Sequence, residues 1–255
     1  MSDPAPYDTV ASVYDFLVPD ELLDPAGNVA AFAPWLDGVA PGSAVLDCAC
    51  GPGRLAVGLA RAGFEVTATD ASPAMVARTA ELAAAYGVAV VTDTVRWDDL
   101  PSRGWDARFT VVLCVGNSLT HAEGAAGRRR ALRAMAGVLR PGGTLLLTSR
   151  NWERVRAAGS RLEVDDRVVT RGDRRAVLAR RWEIPAAWED RHGLDVAVAL
   201  LDDAGAVTPV LESLAFWPFR HDELAGELAA AGLQVTDSTY EDAADRYLVA
   251  ARRAG

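Results

Sequence analysis

At 255 residues, half of them hydrophobic and 24% charged, the chain has enough apolar side chains for one large α/β domain, with or without an insertion. Its net charge of -9 argues against a nucleic-acid partner, because phosphate binding needs a concentrated basic face. No apolar run approaches the roughly 20 residues of a membrane span, and Met1–Tyr7 has neither the basic start nor the apolar core of a signal sequence, so we expect a cytoplasmic protein with no membrane partner.

The three cysteines do not predict a disulfide or a metal site. Cys48 and Cys50 are two residues apart at one predicted strand end, which is a poor geometry for a disulfide, and Cys114 is remote from both in sequence. No histidine or second cysteine pair supplies the spacing of metal ligands. We therefore expect reduced thiols and no metal.

Up to about residue 150 the sequence alternates short apolar strands with helices. The predicted strands are Ser43–Cys48, Phe64–Thr69, Val88–Thr92, Phe109–Val115 and Thr144–Thr148. The predicted helices are Arg54–Ala62, a segment from the N-cap Ser72 to near Gly87, and Ala125–Leu139, which the stop Pro141-Gly142-Gly143 follows. Strands that are apolar on both faces and alternate with helices indicate a parallel sheet between two helical layers.

After residue 150 four strands are predicted in succession, with turns between them. They are Val164–Thr170, Ala176–Ile184, Leu194–Leu201 and Val207–Phe216. A helix at His221–Ala231 and strands at Leu233–Asp237 and Arg246–Ala251 complete the chain. We therefore predict a Rossmann-like, doubly wound α/β fold with a seven-stranded sheet and an antiparallel insertion over the substrate site.

We interpret the chain as a single domain, 1–255, in four parts. An N-terminal helical cap covers 1–40, a cofactor-binding core 41–150, an antiparallel substrate cover 151–219, and a final helix and strands 220–255.

The most informative stretch is the glycine turn that follows the first strand. Gly51 and Gly53 lie between a strand and a helix, at the edge where open α/β sheets bind ligands, and glycines let the backbone approach a ligand closely. Asp47 precedes this turn and could meet a cationic ammonium group. Asp70 ends the second strand, where a carboxylate can accept both hydroxyls of a ribose.

A dinucleotide fold and NAD-dependent oxidoreduction is the rival interpretation, because Gly51-x-Gly53-x-x-Ala56 nearly fits that fingerprint. Three features favour a sulfonium nucleoside instead. Asp47 has the right sign for a cation, Pro52 removes one N–H from a loop that a pyrophosphate needs rich in donors, and polar residues 116–118 end strand four.

The segments VLDCACGPG, GFEVTATDASPAM, VRWDDL, VGNSLTH and VLRPGGTLLLTSRNW, and more loosely LAFWPFRHDEL, carry a family resemblance. The chain resembles class I S-adenosylmethionine-dependent methyltransferases, and within them the glycine N-methyltransferase family. The matches cover roughly residues 5–155 well and the remainder thinly. Gly116-Asn117-Ser118-x-x-His121 with Arg150-Asn151-Trp152 is the most particular part.

The resemblance implies S-adenosylmethionine as cofactor and a set of residues around it. The residues expected to bind it are Tyr14, Asp47, Cys48, Gly51, Gly53, Asp70, Ala71, Met75, Arg96, Trp97 and Val115. Tyr14 belongs to an N-terminal segment that folds over the cofactor in many such enzymes, and could cap the sulfonium. An indole such as that of Trp97 also stacks well on a purine. A packing role for Tyr14 and a core position for Trp97 stay open.

One position departs from the family. An arginine near the start of the family's chains pairs with the cofactor's carboxylate, and Asn28 occupies its place here. Neutral hydrogen bonds must replace that ion pair, or another residue supplies the charge.

For the substrate, the resemblance implies that Asn117 and Arg150 bind an amino acid, while His121 is a candidate base and Trp217 stands in a doublet where the family has tyrosines. Structural roles for these residues stay open. Asn117 could hold its loop together, Arg150 could form a surface ion pair, and His121 could be a structural histidine at the start of a helix. The missing hydroxyls put glycine itself in doubt. If aromatic residues of the insertion face the pocket, the substrate is larger and more apolar.

The leading hypothesis is methyl transfer to the nitrogen of a small amine or amino acid-like metabolite, by direct displacement and without a catalytic triad. The alternatives are O- or C-methylation of an aromatic natural product, with His121 as base, and NAD-dependent oxidoreduction. The expected partner is a small molecule, and a homo-oligomer is compatible with the sequence.

Overall fold

The computed structural model describes residues 5–255, so residues 1–4 of the predicted helical cap lie outside the described residues. The strands are β1 Ala44–Asp47, β2 Glu65–Asp70, β3 Val90–Thr94, β4 Phe109–Cys114, β5 Leu139–Arg150, β6 Arg161–Val164, β7 Val169–Arg171, β8 Arg174–Glu183, β9 His192–Leu201, β10 Val207–Phe216, β11 Leu233–Ser238 and β12 Arg246–Arg253. The α-helices are α1 Pro25–Ala30, α2 Ala33–Leu36, α3 Arg54–Arg61, α4 Pro73–Ala85, α5 Gly124–Val138, α6 Trp152–Ala157 and α7 His221–Ala230. Short 3-10 helices lie at Ala11–Leu17, Asp20–Leu22, Trp97–Arg103 and Ser118–His121.

Seven strands form the core sheet in the order β11-β12-β5-β4-β1-β2-β3. The pairs from β5 to β3 are parallel, and β12 is antiparallel to both β5 and β11. Because β1 lies between β2 and β4, the loops after β1 and β4 diverge at the carboxyl edge of the sheet. This is the place where open α/β folds bind ligands.

Alternation along the strands builds two cores. Val111 and Leu113 pack with α3 and the short helix α2 on one face, while Val112 and Cys114 pack with α5 and α7 on the other. Helices on both faces of a mainly parallel sheet confirm the predicted fold class.

A second, antiparallel sheet contains β10-β9-β8-β6, with β7 also paired to β8. Its inner face packs against Trp152 of α6 and against the N-terminal segment, represented by Val10, Val13 and Phe16. We call this layer the cover sheet. The aromatic residues Trp182 and Phe216 belong to its core, with exposures of 4% and 2%.

Two predicted boundaries were wrong. The strand predicted at Val164–Thr170 is two strands, β6 and β7, because the chain bends between them and Asp165 forms an ion pair with Arg180 at 2.7 Å. Strand β5 already begins at Leu139, so the proline-glycine-glycine stop lies within the strand. The backbone there accommodates the irregularity at Gly142, whose φ is 72°.

No helix among residues 5–255 is long and apolar enough to cross a bilayer. Within the same residues, no cluster of three or more histidines, cysteines or acidic residues could hold a metal ion, and the three thiols are free and buried.

Candidate active site

The glycine turn after β1 is shaped by two different requirements. Gly51 has φ 53°, and a methyl group built on it would meet nothing within 4 Å. Gly53 has φ 84°, and a Cβ there would lie 2.7 Å from the side chain of Thr79 on α4. Gly53 is therefore required for packing between the turn and α4, whereas Gly51 leaves the open side of the turn free for a ligand.

Asp47 at the end of β1 is fully buried, and neither carboxylate oxygen has a hydrogen-bond partner of normal geometry among the described residues, although the backbone N–H of Ala49 lies close enough to lower its pKa. Burial raises the pKa of this carboxyl from 3.8 to about 7. An unpartnered buried carboxylate is costly, and a cation bound beside it would remove that cost. The site thus fits the positively charged methionine end of S-adenosylmethionine.

Asp70, at the end of β2, is fixed by the backbone on both sides. One oxygen accepts from the N–H of Gly51 and the other from that of Ser72, each at 2.9 Å. Burial raises the pKa of this carboxyl as well. Each oxygen keeps a lone pair, so the carboxylate can still accept the hydroxyls of a ribose.

Trp97 and Cys48 are joined by one hydrogen bond. The indole Nε1–H donates to the carbonyl oxygen of Cys48 at 2.7 Å, which fixes the ring beside the turn. The thiol of Cys48 is buried, and burial together with the neighbouring Cys114 raises its pKa. The ring of Trp97 therefore lies beside the expected cofactor site in a fixed orientation.

The remaining predicted cofactor residues lie along the same edge. Met75 is buried in the first turn of α4, and its N–H donates to Ser72 Oγ at 3.1 Å, while Ala71 precedes this helix half-buried. Arg96 is exposed. Val115 follows β4, and its carbonyl already accepts from Ser118 Oγ at 2.6 Å. These positions are compatible with the expected roles and do not test them.

The N-terminal segment closes over this edge. Asp8 accepts from Ser72 Oγ at 2.6 Å and from the N–H of Ala74 at 3.2 Å, so it binds the start of α4. From the cover sheet, Glu212 accepts the N–H groups of Tyr7 and Val10. The segment is thereby held between the cofactor edge and the cover sheet.

Two tyrosines of this segment lie together in the site. Tyr7 and Tyr14 meet edge to face, with ring centroids 5.7 Å apart. Burial and then the negative charge of Asp70 raise the pKa of Tyr14, so its hydroxyl stays protonated and available as a donor.

His121 is a neutral acceptor in this structure. Its Nδ1 lies 2.8 Å from the carbonyl oxygen of Ala215, which can only accept, so Nδ1 carries the proton. Its Nε2 lies 3.3 Å from the hydroxyl of Tyr7. Burial lowers the pKa of His121 from 6.5 to about 4, and the ring packs on Phe216 at 4.6 Å.

Arg150 and Arg246 are direct partners in the antiparallel pairing of β5 with β12, so both project from the same face of the sheet. Within residues 5–255 neither guanidinium lies within 4.0 Å of a carboxylate. Burial and the nearby Arg246 lower the pKa of Arg150 to about 10. Both arginines are close enough to Tyr7 to lower the pKa of its hydroxyl, against the opposing effect of burial.

Asn117 uses its side chain to brace the loop after β4. Its Oδ1 accepts from the N–H of Arg150 at 3.1 Å and from Trp152 Nε1 at 3.0 Å, and its Nδ2 donates to Thr120 Oγ1 at 2.9 Å. It also adopts a left-handed backbone conformation, with φ 72°. Asn117 therefore positions Arg150, and the prediction that it contacts substrate stays untested.

Trp217 lies in a cavity that is separate from the predicted cofactor residues. It lines a cavity of about 510 Å³ with Trp188, Arg128 and residues of α5 and α7, and none of the predicted cofactor residues lines that cavity. Phe216, its neighbour, points into the cover-sheet core instead. Arg246 was not expected in the site, and Tyr7 was expected only as part of the pair Tyr7-Asp8, which with Tyr14-Asp15 resembles the N-terminal segment that folds over the cofactor in many such enzymes.

Residues 45–143 match a family model described as a methyltransferase domain. The chain is 37% identical over 116 residues to a glycine/sarcosine N-methyltransferase of Parasynechococcus marenigrum (strain WH8102). This alignment covers 46% of this chain and 41% of that protein. It is 33% identical over 153 residues to the glycine N-methyltransferase of Rattus norvegicus. This alignment covers 53% of this chain and 51% of that protein. The chain thus spans about half the length of the curated relatives it matches.

Among solved structures, the CcbJ methyltransferase from Streptomyces caelestis superposes with a TM-score of 0.78 at 23% identity, over 100% of both chains. At this identity the likeness shows the fold alone. Together the matches confirm the predicted resemblance and the Rossmann-like fold.

Proposed function

We propose that this protein, whose residues 45–143 match a methyltransferase domain, uses S-adenosylmethionine to methylate the nitrogen of a small amine that also carries a carboxylate. The observation that carries the proposal is the pair Arg150 and Arg246. They are adjacent cations near Tyr7, whose hydroxyl lies 3.3 Å from Nε2 of His121, and neither has a carboxylate partner among the described residues. The curated relatives named glycine/sarcosine N-methyltransferase support the same chemistry.

The two guanidiniums of Arg150 and Arg246 would act on both the carboxylate and the amine of such a substrate. A carboxylate can accept two parallel hydrogen bonds from the planar fork of an arginine. The same positive charge disfavours a protonated ammonium nearby, so an amine bound beside Arg150 and Arg246 loses its proton more readily. Methyl transfer needs that nitrogen lone pair.

S-adenosylmethionine supplies the methyl group from its sulfonium when it is bound. The protein then has to hold the acceptor nitrogen in line with the methyl carbon and exclude water, because a direct displacement depends chiefly on positioning. The N-terminal segment with Tyr7 and Tyr14 lies over the cofactor edge and can do both. The new N–C bond forms as the S–C bond of the sulfonium breaks, which leaves S-adenosylhomocysteine, and the cationic methylated nitrogen then releases one proton.

Base-assisted O- or C-methylation is disfavoured by the state of His121. Burial holds its pKa at about 4, so it is a weak proton acceptor for a phenol at neutral pH. The aromatic residues that could have formed a wall for an aromatic substrate, Trp182 and Phe216, are in the core of the cover sheet.

The test is a mass-shift screen with S-adenosylmethionine carrying a deuterated methyl group. The acceptors are amino acids and other amino carboxylates, the same amines without the carboxylate, and indoles and phenols. We expect transfer to amino carboxylates, with kcat/KM lowered about 100-fold by Arg150→Ala and little changed for the carboxylate-free amines.

Arg161→Ala is the matched control for that variant. Arg161 and Arg150 both lie over the ring of Trp182, at 5.0 Å and 5.5 Å, but Arg161 is paired with Glu163 at 2.6 Å. Arg161→Ala should leave kcat/KM within a few-fold. Preferred methylation of phenols, or indifference of the amino carboxylates to Arg150→Ala, would contradict the proposal.

A further inference from the structure

The cation expected near the cofactor's carboxylate is absent from its usual place. Asn28 stands there, and its amide nitrogen donates to the carbonyls of Leu22 at 2.7 Å and Asp24 at 3.0 Å. These bonds hold the segment around α1 together. Asn28 therefore has its amide hydrogens engaged locally and carries no charge for a carboxylate.

Arg54, the first residue of α3 and the neighbour of Gly53, has a free pair of donors. Its Nε donates to the carbonyl of Leu23 at 3.0 Å, and its Nη2 lies 2.8 Å from Asp15 Oδ1. Its Nη1 is buried and has no hydrogen-bond partner among residues 5–255, and the side chain as a whole is only 12% exposed. Leaving such donors dry and unpaired is costly, so a bound acceptor would stabilise this arrangement.

The charges around Arg54 do not balance either. Arg54 and Arg78 both contact the same oxygen of Asp15, at 2.8 Å and 3.0 Å. Two guanidiniums thus share one carboxylate, which leaves about one positive charge over. Arg54 and Arg78 line a cavity of about 400 Å³ together with Arg171 and Arg174. Arg171 is paired with Asp20 at 2.8 Å, and both of these arginines donate to backbone carbonyls of the N-terminal segment.

Asp47 and Arg54 flank the glycine turn, one just before it and one just after it. The first has two buried oxygens without donors, and the second has a buried nitrogen without an acceptor. Opposite unpaired groups at the two ends of one short turn match the ammonium and the carboxylate of an amino acid.

We propose that Arg54 binds the carboxylate at the methionine end of the cofactor through Nη1, in place of the arginine that Asn28 replaces. The inference rests on the proposed function, because it requires an S-adenosyl ligand in this site. Asp15 then acts as a positioning residue that orients the guanidinium, and Arg78 serves the N-terminal segment only.

The test compares two nucleosides by calorimetry: S-adenosylhomocysteine and its decarboxylated analogue, S-adenosyl-3-thiopropylamine, which keeps the ammonium and lacks only the carboxylate. We expect Arg54→Ala to weaken S-adenosylhomocysteine binding about 10- to 100-fold and to change binding of the analogue by less than about threefold. Arg78→Ala, the matched control on the same aspartate, should change the two affinities equally.

Equal loss of both ligands in Arg54→Ala, or no loss, would overturn the assignment. The wild-type protein gives a second test that does not depend on the variant's folding: it should bind S-adenosylhomocysteine at least about 10-fold more tightly than the analogue. Equal wild-type affinities would refute the role of Arg54 alone. Failure of the wild-type protein to bind either nucleoside would refute the proposed function, and this inference with it.

Discussion

The two sides of the site carry unbalanced charges of opposite sign. On β1 of the core sheet, Asp47 is buried without a donor, whereas further along the same sheet, on β5 and β12, Arg150 and Arg246 lie together without a carboxylate. A protein that had only to fold would pair or remove Asp47, since a buried unpaired charge reduces stability, whereas Arg150 is half-buried and Arg246 exposed. The contrast indicates that one side is built for a cation and the other for an anion.

Replacing both arginines, Arg150 and Arg246, should have the largest effect on activity. In the double variant Arg150→Ala/Arg246→Ala, both donors to a substrate carboxylate are lost, and we expect kcat/KM for an amino carboxylate to fall roughly 1,000-fold. Steady-state kinetics on the best acceptor from the screen would measure this. Calorimetry with S-adenosylhomocysteine should show a Kd within about threefold of wild type.

The control for this variant replaces two arginines that have acidic partners, Arg154 and Arg161. It should cost little activity. If the Arg150/Arg246 variant instead lost its cofactor affinity, the two arginines would belong to the cofactor side and the contrast between the two sides would be wrong.

Removing the negative side should mainly affect the cofactor. Asp47→Asn keeps the shape of the side chain and removes its charge, so we expect S-adenosylhomocysteine to bind about 100-fold more weakly. In the wild type, where burial places the pKa of Asp47 at about 7, affinity should fall as the pH is lowered from 8 to 6, because protonation removes the charge. In Asp47→Asn that pH dependence should disappear. Glu65→Gln, an exposed carboxylate at the start of β2, should keep it.

The same two sides differ in how far the sequence predicts them. The residues expected around the cofactor could be predicted because they lie at strand ends. Asp47 ends β1, the glycine turn follows it, and Asp70 ends β2. The alternation that identifies a strand involves only residues close together in the sequence. The substrate side depends on pairing between distant segments. Nothing in the sequence around Arg246 indicates that β12 returns antiparallel to β5 and brings it beside Arg150.

Local rules also gave wrong or incomplete answers inside the predicted core. The stop at residues 141–143 was expected to separate helix from strand, yet β5 begins at Leu139, because its buried side chain and pairing with Phe109 extend the sheet past the glycines. Gly53 was expected to line the cofactor site, which stays a prediction, and a Cβ at Gly53 would in addition lie 2.7 Å from the side chain of Thr79. A sequence shows that a glycine is required but does not show which neighbour requires it.

Stability offers a smaller test of the negative side. Burial raises the pKa of Asp47 from 3.8 to about 7, so the folded state retains a proton that the unfolded chain has lost. This group's contribution to the free energy of unfolding therefore decreases as the pH rises from about 4 to about 7, and stays constant above that.

Without ligand, Asp47→Asn should be more stable than wild type at pH 8, by up to about 4 kcal/mol, and the difference should shrink towards pH 5. Urea unfolding at the two pH values measures it. Saturating S-adenosylhomocysteine should narrow the difference at pH 8, because the wild type binds it more tightly than the variant. A variant that is less stable than wild type at pH 8 would show that Asp47 has a partner in the free protein.

The smallest effect is expected where the two sides meet, at the hydroxyl of Tyr7. This hydroxyl lies 3.3 Å from Nε2 of His121, which is neutral at physiological pH because burial holds its pKa at about 4. Tyr7→Phe removes the donor and keeps the ring, so we expect KM for the acceptor to rise about three- to tenfold with Kd for S-adenosylhomocysteine unchanged. Tyr240→Phe, which alters a tyrosine stacked on His221, is the control. Equal losses in acceptor and cofactor affinity would instead assign Tyr7 to closing the N-terminal segment over the cofactor, since a positioning role at the acceptor changes only the first of these two constants.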